Sequence, residues 1–151
     1  MTMDAQLATK EIQEMRELMQ DYAPAQAAMD KLIIHNGNIE TTFEDLWVEK
    51  NGQSRTLVED KSLWQVTLKV LRRELCGDEG FRSQIKEYSK NPGSAPLLTG
   101  LIVSLVGLAG LPIDPAIATV VVLYILKIGL NIFCEYTEPP ADSALTLPPA
   151  K

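Results

Sequence analysis

Asp45, Glu59 and Lys61 are the residues whose types and order come nearest to a catalytic set in this chain. Placed on consecutive strands, two such carboxylates could hold Mg2+ while the lysine offsets charge on a phosphate, which is metal-assisted phosphodiester chemistry. His35 is the single imidazole, and beside the Asn36-Gly37 turn it is expected to be a plain polar residue rather than a base. Cys76 and Cys134 lie far apart in the chain and outside any C-x-x-C pair, so both are expected to be reduced thiols with no structural disulfide. No phosphate-binding glycine loop, zinc-protease helix, nucleophile elbow or cysteine-histidine pair is present.

The order of an acidic residue followed by Glu-x-Lys resembles the pattern of metal-dependent nucleases. It is short, lacks the proline that often precedes the first acid, and requires strands. Charge weighs against it. The chain carries 14 Lys plus Arg against 20 Asp plus Glu, a net charge of -6, and stays negative over residues 1–94. Nucleic-acid affinity comes largely from cations that displace counterions, so no nucleic-acid partner is expected. The sequence therefore points to a non-enzymatic protein with no catalytic residue, metal or cofactor, and a nuclease is the minor alternative.

The informative feature is an uneven distribution of charge. From Ala95 to Cys134 only Asp114 and Lys127 are charged. This block divides into two apolar arms, Leu97 to Leu111 and Ala116 to Phe133, separated by Pro112, Asp114 and Pro115. The prolines remove backbone donors and place a break there, which makes residues 97–134 a hydrophobic helical hairpin. Its arms would extend roughly 22 and 27 Å, slightly short of a hydrocarbon core near 30 Å. Arg82, Lys86 and Lys90 precede the hairpin and the turn lacks Lys and Arg, so the positive-inside rule keeps both termini cytoplasmic. The first thirty residues offer no basic segment followed by an apolar core, so no cleaved secretory signal is expected.

Two stripes mark the arms. Gly100, Ser104 and Gly107, continued by Leu111, align small residues on the first arm and are expected to form its packing face against the second. Tyr124, Lys127, Asn131 and Glu135 form a polar line on the second arm. A lysine at mid-arm is costly in lipid, so Lys127 should meet water, a carboxylate or a neighbouring helix, or snorkel to a headgroup.

Upstream, residues 4–22 read as a helix, capped by Asp4, whose Ile12, Met15, Met19 and Tyr22 make a seam for a partner helix in this chain or another copy. Pro24 ends it and Ala25 to Leu32 can form a second short helix. Residues 60–76 form the strongest amphipathic helix, stopped at Gly77, and another runs from Glu79 to Ser89 with Phe81, Ile85 and Tyr88 on its apolar side. Residues 31–59 offer either three short strands turning at Asn36-Gly37 and Asn51-Gly52, or a helix opened by Thr41, Thr42 and Glu44; the helix is preferred.

The expected fold is mainly α, with amphipathic N-terminal helices followed by the hydrophobic hairpin and room for a short β-hairpin between residues 31 and 59. The expected organisation is a soluble interaction domain over 1–90, a linker at 91–96, the candidate transmembrane hairpin at 97–134 and a disordered tail at 135–151. The expected function is membrane association by an oligomer whose hairpin inserts in or perturbs a lipid membrane, while the N-terminal helices bind a protein partner. Hydrophobic hairpins of this kind occur in pore-forming toxins and membrane-perturbing effectors. The contrasting expectation is a cytoplasmic, soluble helical scaffold or adaptor, homo-oligomeric, with the hairpin as its buried core.

Overall fold

The computed structural model describes residues 6–51, 63–108 and 113–136. They form eight helices: α1 Thr9–Leu18, α2 Ala23–Ile34, α3 Ile39–Asn51, α4 Leu63–Leu75, α5 Glu79–Lys90, α6 Ala95–Leu108, α7 Pro115–Ile128 and α8 Leu130–Tyr136. The protein is mainly α, and the described residues contain no strand; a single antiparallel bridge joins Gln6 to Asn38.

Local chemistry sets the helix ends. Glu11 accepts the Ala8 backbone N–H at 2.8 Å and opens α1, whereas Asp4 lies outside the described residues. Pro24 sits in the first turn of α2, where its missing donor is harmless. The α2 helix stops because Asn36 and Gly37 both adopt positive φ, 57° and 83°, and the Gly37 N–H returns to the Leu32 carbonyl at 2.7 Å. That same dipeptide reads as a hairpin turn in the sequence, yet here it joins two helices. Gly37 is required twice over: a Cβ there would lie 2.0 Å from the Leu7 carbonyl oxygen, and Leu7 donates its own N–H to the Gly37 carbonyl at 2.9 Å.

Within residues 31–51 the helical alternative holds, and no β-hairpin forms there. The capping residue is Asn38 rather than Thr41 or Thr42, since its Oδ1 accepts the Thr41 N–H at 2.8 Å. Residues 52–62 lie outside the described set, including Glu59, Lys61 and the Asn51-Gly52 turn's second residue. Further along, Asp78 accepts the Phe81 N–H at 2.7 Å and caps α5, and Asp114 accepts the Ile117 N–H at 2.9 Å and caps α7 just before Pro115.

Packing gathers the described helices around one core. Buried apolar side chains from Leu7 to Phe133 form one cluster. Helix α7 sits inside it: each residue from Ala116 to Ile125 is buried, and α2, α3, α6 and α8 pack around it. A helix apolar on every side must be covered on every side, and here polypeptide supplies the cover. Residues 91–94 turn between the packed helices α5 and α6, and Ala95 and Pro96 already belong to α6, with Ser94 accepting the Leu97 N–H at 3.3 Å. Tail residues 137–151, and Ala109 to Pro112 between the arms, fall outside the described residues.

Two further expectations are corrected. The second apolar arm is not one helix, because Gly129 at φ 92° ends α7 and starts α8 in a new direction. Cys76 and Cys134 are not reduced thiols; they form a disulfide with Cα atoms 5.9 Å apart. Separation along the chain gives no sign of this, because the two lie 58 positions apart and only the packing of the intervening helices brings α8 to the end of α4.

Candidate functional site

The polar residues singled out in the sequence do not converge on one site. Tyr124 is 1% exposed, with its ring centroid 5.0 Å from Trp64 and 6.2 Å from Phe133, both in edge-to-face geometry. It belongs to an aromatic chain that continues from Trp64 to Phe43 at 5.0 Å. Lys127 is at the surface, where its Nζ lies 3.0 and 3.2 Å from the two carboxylate oxygens of Glu11. Asn131 and Glu135 are exposed on α8, beyond the Gly129 break. The polar line is therefore divided between a buried ring, an ion pair and a separate helix.

The seam of α1 is consumed within the chain. Ile12 and Met19 are 3% and 2% exposed, and Met15 and Tyr22 pack partly buried against the same core. Four apolar residues at heptad spacing mark the side of α1 that packs against this chain's own core, the first of the two dockings the spacing allows.

A charged cluster spans α2 and α3. Asp45 receives His35 Nε2 at 2.8 Å and Lys31 Nζ at 3.3 Å, and Lys31 also meets Glu49 at 2.7 Å. The His35 contact, reinforced by Lys31, holds the Asp45 carboxyl below its ordinary range. Pairing with Glu49 first, and Asp45 second, raises Lys31. Asp45 thus stands on a helix, not on the strand that metal-assisted cleavage would need, and it is engaged by two cationic or hydrogen-bonding groups. Among the described residues no group of three His, Cys, Asp or Glu is placed to hold a metal ion. The cluster clips α2 to α3. The pairing was missed in the sequence; the spacing of Lys31 and His35, and of Asp45 and Glu49, one helical turn each, was the available signal.

Glu44, one position earlier, behaves in the opposite way. Burial, aided by the nearby Glu40 charge, raises its pKa, while the Trp64 backbone N–H it accepts partly offsets the rise. It caps the first turn of α4 from a neighbouring helix.

The surface that stands apart is the outer side of α6. This helix contains no charged residue. Its buried side is Leu98, Leu101, Ile102 and Leu105. The stripe Gly100, Ser104 and Gly107 lies on the opposite side by helical register, so it is not the face turned to the core. A Cβ on Gly107 would meet nothing within 4 Å, and one on Gly100 would meet only the Gln84 side chain, at 3.6 Å. Val103, 56% exposed, stands beside the stripe with Pro96. Surface helices normally present charges to water, as α5 does with Arg82, Lys86 and Lys90. The outer side of α6 presents none.

No helix among the described residues is long and apolar enough to cross a membrane. No protein-family model, curated protein or solved structure matches the chain.

Proposed function

We propose that this chain is a non-enzymatic helical interaction module, in which the apolar hairpin supplies the core helix α7 and the docking helix α6. The observation that carries the reading is the contrast between those two apolar helices: α7 is covered by polypeptide from Ala116 to Ile125, whereas α6 leaves Pro96, Val103 and Gly107 exposed on a side without charge, beside the half-buried Gly100 and Ser104. The occupant of that side is a second copy of the chain. Small residues at Gly100, Ser104 and Gly107 form a shallow notch, and Val103 beside it is a knob of matching size, so the face complements itself across a two-fold axis. Bringing two such faces together desolvates no ion. The composition and the engagement of the single histidine by Asp45 support a role without catalysis.

Sedimentation of the full chain without detergent tests this reading. A concentration-dependent dimer that becomes monomeric in Val103→Lys and in Gly107→Glu supports it. A monomer at all concentrations, or a dimer indifferent to both substitutions, contradicts it. A second reading, in which the bare face of α6 rests on a lipid surface, draws support from the same lack of charge. It is the weaker one, because interfacial helices typically add Lys or Arg beside their apolar face and α6 has neither. Flotation with phosphatidylcholine and phosphatidylserine vesicles separates the two: binding abolished by Val103→Lys would favour lipid.

A further inference from the structure

We infer that the Cys76–Cys134 disulfide is a thiol-exchange site that straps α8 onto the bundle and loosens it on reduction by a dithiol. This inference concerns α8 and does not depend on how α6 is used.

Three observations meet at this place. The disulfide joins the residue just after α4 to the middle of α8, and both cysteines are half-buried rather than enclosed. Arg82, on α5, donates from Nε to the Cys76 carbonyl at 2.9 Å, and its terminal nitrogen stands 3.9 Å from Cys134 Sγ. Arg82 also lines a groove of about 640 Å3 between α5 and α8, with Lys86, Ser83 and Asn131. The groove adjoins the bridge through Arg82, and neither cysteine lines it.

That guanidinium makes the two sulfurs unequal. A nearby cation stabilises a thiolate, and a better-stabilised thiolate leaves faster in exchange. An incoming dithiol therefore attacks through its thiolate at Cys76 Sγ. The bond to Cys134 breaks, Cys134 departs as the thiolate beside Arg82, and a mixed disulfide joins the reagent to Cys76. The reagent's second thiol, once deprotonated, attacks its own sulfur in that mixed disulfide and releases Cys76. Two electrons pass to the protein disulfide, the reagent closes as a cyclic disulfide, and the two reagent protons end on the two cysteines.

Release has a structural outlet. Helix α8 has seven residues, too few to persist alone, and it meets α7 at Gly129, whose positive φ already breaks the helical run. Leu130 and Phe133 also hold it to the bundle by burial, the latter against Tyr124. Loss of the crosslink frees α8 to open about Gly129 and uncovers the Tyr124–Trp64 end of the aromatic chain.

The test uses the full chain with dithiothreitol, reading free thiols and backbone hydrogen exchange. The oxidised protein should show no free thiol; reduction should release two and speed exchange at residues 130–136 at least tenfold, with residues 116–125 unchanged. Cys134→Ser should show the fast α8 exchange without reductant. Arg82→Gln should slow reduction by about three- to tenfold and Arg82→Lys should largely restore it, since the rate follows the leaving thiol's pKa. Exchange at 130–136 indifferent to reduction overturns the strap. A reduction rate unchanged in Arg82→Gln overturns the guanidinium's part. Two free thiols that oxidised dithiothreitol and glutathione disulfide both fail to pair overturn the site altogether.

Discussion

Lys127 Nζ lies 3.0 Å from Glu11 Oε1, so the one cation of the apolar segment from Ala95 to Cys134 is met by a carboxylate 116 positions earlier in the chain. The pair ties the C-terminal turn of α7 to the first turn of α1. Lys127 also sits where a cation complements the carbonyl end of a helix, and Glu11 where an anion complements the amide end. Glu11 is held below its ordinary pKa first by the Ala8 backbone N–H and then by Lys127.

That geometry makes Lys127 a surface tie between α7 and α1. Lys127→Leu is expected to lower unfolding stability by only about 0.2–1 kcal/mol, the range of exposed ion pairs, and the loss should shrink in high salt. Urea denaturation at two ionic strengths measures it. A loss several times larger and insensitive to salt would show that Lys127 is buried against something other than Glu11.

Acid should act on Asp45 and Glu44 in opposite senses. Asp45 and Glu11 have lowered pKa values when folded, so their contribution is present above the unfolded carboxylate range and is lost as pH falls through the folded values. Glu44 has a raised value, so its protonation favours the folded state and its ionisation as pH rises weakens it. Asp45→Asn should flatten the fall of stability below about pH 4, the ordinary carboxylate range. Glu44→Gln should stabilise the protein at neutral pH relative to its own behaviour in acid. Thermal unfolding of both variants between acid and neutral pH checks the signs, and parallel curves would refute the assignment.

Truncation inside the aromatic chain and the core helix should be severe. Ile125 and Phe133 are fully buried, so Ile125→Ala is expected to cost about 2–5 kcal/mol and Phe133→Ala about 3–5 kcal/mol. Val103→Ala, on the exposed side of α6, should cost within about 0.5 kcal/mol in the monomer. Denaturation of the three variants in detergent-free buffer ranks them; equal, small losses would place Ile125 outside a protein core.

Much of the helical pattern was legible in the sequence, and for physical reasons. Phe81, Ile85 and Tyr88 share one side of α5 and are all buried, as their spacing requires. The break between the arms falls at Asp114 and Pro115, where backbone chemistry leaves little choice. What the sequence withheld was the environment of each apolar face. Hydrophobicity states that α7 must be covered but not by what, and the cover turned out to be α2, α3, α6 and α8. Close packing favours small side chains and so points the small-residue stripe inward, yet Leu98, Leu101, Ile102 and Leu105 fill the inner side of α6. Long-range pairs such as Cys76 with Cys134 and Glu11 with Lys127 depend on how the helices stack, which no local spacing encodes.

The central claim is that polypeptide, not lipid, shields the ten consecutive residues from Ala116 to Ile125. Amide hydrogen exchange of the intact chain in buffer free of detergent and vesicles addresses it most directly. The account predicts that these amides exchange among the slowest in the molecule, at a rate set by global unfolding, and that added vesicles leave them unchanged. Rapid exchange there in plain buffer, with protection gained only when vesicles are supplied, would contradict it.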